Sequence, residues 1–158
     1  MKSKLAFLFL ALALSGCISP PQMPRRQVAT PFKESDFKAF VGLGTSTIEG
    51  QAFLLTQGGD VKYAAGKKVS LLPVTAYTTE MWEMAGAGVV PIKDYNVEQF
   101  FRSVISDGFG NFSFENIPAG EWYVECAHFW NYIGGVTGRN LRSKVVVKPG
   151  EKLKIILH

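Results

Sequence analysis

The chain has 158 residues, 47% of them apolar, and its 17 Lys and Arg against 13 Asp and Glu give a formal net charge of +4. That length suits one domain with a sizeable core, and the charge, spread without a basic block, excludes a nucleic-acid binder built on a positive patch. Two cysteines permit one bridge at most, so the fold has to stand on its apolar core.

Met1-Lys2-Ser3-Lys4 forms a short positive region, and Leu5 to Leu14 is an unbroken apolar run of ten. That run matches a signal-peptide core and is about half of the ~20 residues a bilayer-spanning helix needs. Residues 1–16 therefore read as a cleaved signal peptide. Its last residues with the next one, Leu14-Ser15-Gly16-Cys17, resemble the lipobox of bacterial lipoproteins. The resemblance implies that Leu14, Ser15 and Gly16 are recognised by the signal peptidase. It also implies that Cys17 carries a diacylglycerol thioether and, after cleavage, an amide-linked acyl chain. Each buried CH₂ is worth ~0.8 kcal/mol, so a multiply acylated cysteine holds its chain firmly in a lipid bilayer. Ile18 follows the cysteine, where an aspartate marks inner-membrane retention in enteric lipoproteins, so the resemblance implies the outer membrane as destination. With Cys17 lipidated, Cys126 has no cysteine partner for a disulfide or a metal site. Lys2 and Lys4 leave with the signal, which brings the net charge from +4 to about +2.

Residues 17–44 read as the lipidated N-terminus and a tether. Pro20, Pro21, Pro24 and Pro31 favour an extended, semi-stiff stalk of up to ~3.1 Å per residue. Arg25-Arg26 reads as part of a solvated tether, with anionic headgroups as the alternative partner. Ser35 to Leu43 suggests a helical turn or two, capped by Ser35 or Asp36. From Thr47 the pattern has period two. Ile48, Gly50, Ala52 and Leu54 share one face; Lys67 to Leu72 is a second strand; Phe112 and Phe114 alternate with polar neighbours. Trp122, Val124 and Cys126 share a face opposite Tyr123 and Glu125, and Ser143–Val147 and Leu153–Leu157 close the chain. Gly58-Gly59-Asp60, Asp107-Gly108, Pro118-Ala119-Gly120 and Pro149-Gly150 supply turns. Residues 45–158 are thus expected to form one all-β domain, a two-sheet antiparallel sandwich. One segment, Thr75 to Val97, is too long for a hairpin loop, and within it Thr78 to Met84 reads as a short helix capped by Thr78 or Thr79.

The run from Ser106 to Val124, SDGFGNFSFENIPAGEWYV, resembles the signature of carboxypeptidase regulatory-like domains. That signature is an Asp-x-x-Gly-x-Phe-x-Phe turn and strand, a Leu-Pro-x-Gly turn, then an aromatic-x-Val strand. The resemblance implies a seven-stranded transthyretin-like β-sandwich. Asp107 and Asn111 have too few carboxylates around them for calcium and read as turn formers.

No catalytic constellation emerges. His128 and His158 are the two histidines, and Cys126 with His128 lies on one strand face about 6.6 Å apart, too far for an activating hydrogen bond. The one enzyme group among transthyretin-like domains, the hydroxyisourate hydrolases, ends in a Tyr-Arg-Gly-Ser tail and uses an early-strand histidine. This chain ends Ile155-Ile156-Leu157-His158 and has no histidine before His128. The expectation is a protein without catalytic residues, cofactor or metal. Tyr77, Trp82, Tyr95, Phe129, Trp130, Tyr132 and Arg139 form the candidate binding surface, because aromatics and arginine are enriched in binding hot spots. The function expected first is a lipid-anchored outer-membrane protein docking onto other envelope proteins; the alternative is a carbohydrate-binding module.

Overall fold

The computed structural model describes residues 23–158; the expected signal peptide, with Leu14, Ser15, Gly16 and the acylation site Cys17, lies outside the described residues. Seven strands longer than three residues build a β-sandwich: β2 (Ser46–Leu55), β4 (Lys68–Pro73), β6 (Arg102–Ile105), β7 (Asn111–Ile117), β8 (Gly120–Tyr132), β9 (Gly135–Val147) and β10 (Lys152–Leu157). Three short strands accompany them: β1 (Arg25–Gln27), β3 (Val61–Tyr63) and β5 (Val90–Ile92). In the first sheet the N-terminal half of β2 pairs with β7 and its C-terminal half with β3, while β10 lies along its other edge. The second sheet has the order β6-β4-β8-β9.

The sandwich departs from the expected all-antiparallel pairing. β10 runs parallel to β2, and β1 parallel to β5. β9 ends in the second sheet, and the Pro149-Gly150 turn hands the chain to the opposite sheet, where β10 meets β2 in the same direction. A connection that changes sheets does not impose the reversal that a hairpin does.

Alternation sets the core. Ile48, Ala52 and Leu54 point inward from β2, Phe112 and Phe114 from β7, and Trp122, Val124 and Cys126 from β8. Trp122 is fully buried, its Nε1 donating to the Pro118 carbonyl at 3.1 Å and its ring meeting the edge of Phe40 at 5.0 Å. Gly50 sits on the inner face because a Cβ there would run into the Phe112 ring and stand 2.8 Å from the Ile155 carbonyl oxygen. The ring covers the glycine across the pair Gly50↔Phe112, a packing that rescues a side-chain-free strand position.

The segment Thr75–Val97 forms a third layer. Helix α1 (Ala76–Gly86) begins earlier than the pattern Thr78–Met84 suggests, because Thr75 is the cap. Thr75 Oγ1 accepts from the Thr78 amide at 3.2 Å and Thr78 Oγ1 accepts from the Thr75 amide at 2.9 Å, a reciprocal capping box. Tyr77, Met81 and Met84, spaced i, i+4 and i+7, face away from the sheet and bury Val28 and Phe37 from the N-terminal segment.

That burial corrects the expected tether. Residues from Arg25 to Phe40 are docked: β1 pairs with β5, and a 3-10 turn (Glu34–Phe40) places Phe37 at full burial, stacked on Phe100 at 4.5 Å. Neither Ser35 nor Asp36 caps it, since the flanking position is Lys33 without a side-chain cap bond. The Glu80 carboxylate clasps the segment, accepting from the Ala29 amide at 2.9 Å and the Thr30 amide at 2.7 Å. These bonds, led by that of Ala29, hold the Glu80 carboxyl down at about 2, from an ordinary 4.5.

Two outcomes follow from these packings. Trp122→Ala should lower unfolding free energy by about 3–5 kcal/mol in urea titrations, the range for truncating a buried large aromatic. The Glu80 clasp, with a depressed folded pKa, contributes fully above about 4.5 and is lost as pH falls toward about 2. Amide protection of Ala29 and Thr30 should therefore collapse across that window, and Glu80→Gln should weaken it at neutral pH.

Candidate functional site

The residues expected to form one binding surface are divided by the fold. Tyr77 is buried, and its hydroxyl accepts from the Asp94 amide at 2.6 Å. Trp82 lies flat on Tyr123 (4.2 Å between centroids, 16° between planes), and the Arg142 guanidinium covers its other face at 3.6 Å. Arg142 also donates to the Trp82 carbonyl. Tyr77 and Trp82 therefore fasten α1 to the molecule and do not present a surface. Tyr95, at 84% exposure, stands alone at the start of the 3-10 turn Tyr95–Phe100.

Phe129, Trp130, Tyr132 and Arg139 share one structure, the β8–β9 hairpin. The glycine-rich segment Gly134–Arg139 is strand from Gly135 onward, with Phe129↔Gly138 and Trp130↔Thr137 paired. Gly138 (φ +126°) permits this, since a Cβ there would strike the His128 backbone. Phe129, Tyr132 and Arg139 are exposed, while Trp130 is half-buried against the core with its ring 5.2 Å from His128.

Cys126 and His128 do not form a reactive pair. Both are buried on the inner face of β8. His128 Nε2 lies 2.9 Å from the Lys62 carbonyl, which can only accept, so Nε2 carries the proton. Burial lowers the His128 pKa and raises that of the Cys126 thiol. A neutral thiol in apolar surroundings is inert. In a Cys17→Ser chain, Cys126 should resist aqueous thiol reagents at pH 8 and label fully only in denaturant; fast native labelling would contradict this burial.

Asp107 acts in the turn. Its Oδ1 accepts from the Phe109 and Asn111 amides, both at 2.8 Å, and its Oδ2 accepts from Asn111 Nδ2 at 2.8 Å. The Asn111 bonds come first among the causes that hold its pKa below the ordinary carboxylate value. Among the described residues no three His, Cys, Asp or Glu gather as metal ligands.

The face that remains open is the outer side of the first sheet, which the sequence reading did not single out. Register lays it out in rows across three strands. Lys154, Glu49 and Ser113 form one row; Ile156, Gln51 and Asn111 the next. A third row is aromatic. Phe53 pairs with Tyr63 (6.4 Å), His158 stacks beside Phe53 (6.2 Å, 21°), and Tyr63 meets the edge of Phe109 (6.1 Å, 79°). Phe109, on the β6–β7 turn, is 66% exposed, and its carbonyl accepts from Gln51 Nε2 at 2.9 Å, which ties the turn to the sheet.

The two polar rows and Asp107 of the turn line an open groove of about 880 Å³, with Val104 and Ile105 as an apolar wall, and the aromatic row lies next to it on the same face. Glu49 is paired with Lys152 at 2.5 Å, so carboxylate and ammonium charges offset each other. Ser113 Oγ is screened from solvent and has no hydrogen-bond partner among the described residues. A second cavity of about 650 Å³, under α1 and β5, mixes charges of both signs, among them Lys93, Arg102 and Glu125.

A solved protein has this fold. It is a candidate carbohydrate binding protein from Pseudomonas aeruginosa, 23% identical, with a TM-score of 0.70 over 81% of this chain and 97% of its own. Two structures of the major pilin subunit of Bacillus cereus match at 16% identity, with TM-scores of 0.38 and 0.37 over 73% of this chain and 30% of theirs. No protein-family model and no curated protein matches the chain. The Pseudomonas likeness establishes the sandwich fold.

Proposed function

We propose that this chain is a lipid-anchored glycan-binding protein of the bacterial outer membrane, held to the bilayer through acylated Cys17 and binding sugar on the outer face of its first sheet. The observation that carries the reading is the row of side-chain amides, Gln51 and Asn111, beside an exposed aromatic row on one sheet face. A pyranose ring has hydroxyls around its rim and C–H groups on its faces. Fixed side chains such as Gln51 and Asn111 suit the rim, and Phe109 with Tyr63 suits a face. The offset Glu49–Lys152 charges favour a neutral ligand over a strongly anionic one. The description of the Pseudomonas protein as a carbohydrate-binding candidate agrees with this choice.

Docking onto an envelope protein, the reading expected first, drew on aromatics that the fold separates, and glycan binding moves ahead of it. The similarity of Ser106–Val124 to carboxypeptidase regulatory-like domains belongs to the same proposal, since such sandwiches recur beside carbohydrate-active machinery.

The test is a titration of the Cys17→Ser chain with neutral oligosaccharides, read by amide chemical shifts. Shifts should gather at Gln51, Tyr63, Phe109 and Asn111. Phe109→Ala and Gln51→Ala should each weaken binding at least tenfold, about 1.4 kcal/mol, while Trp130→Ala leaves it unchanged. Saturable sugar binding with shifts elsewhere, or none with any sugar while envelope proteins are captured, would return protein docking to first place. The anchor is read separately: intact mass of the chain from membranes should show acylation, and Cys17→Ser should move it to the soluble fraction.

A further inference from the structure

The β8–β9 hairpin overhangs the sandwich. Its pairing with β4 ends at Cys126, so the six residues from Ala127 to Tyr132 and their partners run on beyond β4, with His128 and Trp130 still packed on the inner side and the part beyond them free of either sheet. At about 3.3 Å per residue this overhang reaches roughly 20 Å. Its end is apolar: Ile133 is fully exposed, Val136 66% and Tyr132 57%, with Phe129 also open. A cluster of exposed apolar side chains marks a contact surface for a protein or a membrane.

Charge narrows the partner. Between Glu125 and Glu151 the chain has no acidic residue, and within the overhang Arg139, exposed opposite His128, is basic. Lys67 Nζ adds a cation at the hairpin, 3.3 Å from the Phe129 carbonyl. The acids at this end, Asp60 and Asp107, sit on other turns, and Asp107 is occupied by Asn111 and Phe109. Aromatic and aliphatic side chains at a tip, flanked by cations, match the boundary between headgroups and acyl chains.

The path of the chain supplies the second argument. α1 starts beside Pro73, which pairs with Trp122, and ends with Gly86 against Arg142, which pairs with Glu125; it therefore runs toward the hairpin. β5 returns from that end, where Val90 lines a cavity with Ala127 and Asn140. β1 is parallel to β5, and the Val90 amide donates to the Pro24 carbonyl at 2.8 Å. The N-terminal segment thus enters the domain from the hairpin end. Five residues lie between Cys17 and Met23, and the six steps span at most about 20 Å. Anchor and tip therefore reach the same plane.

We propose that the β8–β9 tip is a lipid-contacting element that seats the domain on the bilayer its own N-terminus enters. This rests on the anchoring reading above. Because the anchor holds the tip near the surface, insertion is intramolecular, and a modest intrinsic affinity is enough to orient the domain.

The test places the acylated full chain in vesicles of phosphatidylethanolamine and phosphatidylglycerol, with a polarity-sensitive dye on Ile133→Cys; buried Cys126 stays unlabelled. The dye should shift to the blue and be quenched by brominated lipid, whereas the same dye on Glu115→Cys, toward the Ser46 end, should not respond. A tip dye as open to aqueous quencher on vesicles as in buffer, with acylation confirmed by mass, overturns the proposal and leaves the tip to a protein partner. A second arm uses the Cys17→Ser chain with excess vesicles, where Ile133→Asp with Val136→Asp should cut partitioning at least fivefold. Tip-dependent partitioning in a chain whose native form carries no acyl group would sink the anchor reading and keep the tip; partitioning indifferent to the tip would sink the tip.

Discussion

The second sheet is covered on both faces, and the arrangement of everything else follows from how its outer face is closed. Its inner face packs Trp122, Val124 and Leu141 against the first sheet. On its outer face Tyr123 would stand open to water, yet it is buried beneath Trp82, which is itself sandwiched by the Arg142 guanidinium. Thr79 Oγ1 and the Tyr123 hydroxyl, 3.1 Å apart, add a polar contact at the same junction. The stack fixes where α1 lies. Once α1 is placed, its far side exposes Tyr77, Met81 and Met84, and only an additional layer can bury them. The N-terminal segment is that layer, which is why β1, Phe32 and Phe37 belong to the folded body.

This division of labour leaves the first sheet's outer face, among the described residues, as the one broad sheet surface without a covering layer. Its strands alternate apolar-in and polar-out in the manner of a half-solvated sheet. A site there is held by strands that the core already fixes, so side-chain positions are set before any ligand arrives. Gly50 contributes from beneath: the Phe112 ring fills its place in the core, and the strand stays flush between the rows of Glu49 and Gln51. The Asp107 turn contributes from the side, because its three hydrogen bonds hold Phe109 at the end of the aromatic row.

Much of the sandwich was legible from period two. Ile48, Ala52 and Leu54, the Phe112–Phe114 pair and the Trp122 face all stand where alternation puts them, since a buried sheet face leaves register little freedom. What escaped reading was contact between elements far apart in sequence. Nothing local announces that Glu80 will receive the amides of Ala29 and Thr30, fifty residues upstream, and a proline-rich stretch reads as tether until those partners exist. Tyr123 read as an outward residue because alternation cannot foresee a covering helix. The outer-face site was half visible: Glu49, Gln51 and Phe53 alternate plainly, but Phe109 and His158 reach that face only through pairing no periodicity encodes. The aromatic residues that looked most available, Tyr77 and Trp82, are the ones the helix consumed. Large aromatics gain most from burial, so their presence in an insert is better evidence for a second core than for a binding surface.

The ends of the sandwich are unequal, and that inequality links the groove to the hairpin. The end with Ser46, Ile117 and Gly120 is closed by short turns, with Phe40 lying across Trp122. The opposite end carries the long hairpin, and Lys62 of β3 meets His128 there through the His128 ring. The aromatic row of Phe53 and Tyr63 lies at this end, whereas the row of Lys154, Glu49 and Ser113 lies farther along β2 toward the closed end. The outer face therefore has a direction, from the groove between the polar rows to the aromatic row beside it and on to the hairpin. If the hairpin end faces the bilayer, a glycan in the groove lies along the flank with its aromatic contact nearest the lipid and its hydroxyl contacts farther out. Such a placement matches the chemistry of each zone, because stacking tolerates a drier boundary whereas amide and hydroxyl contacts exchange readily with water.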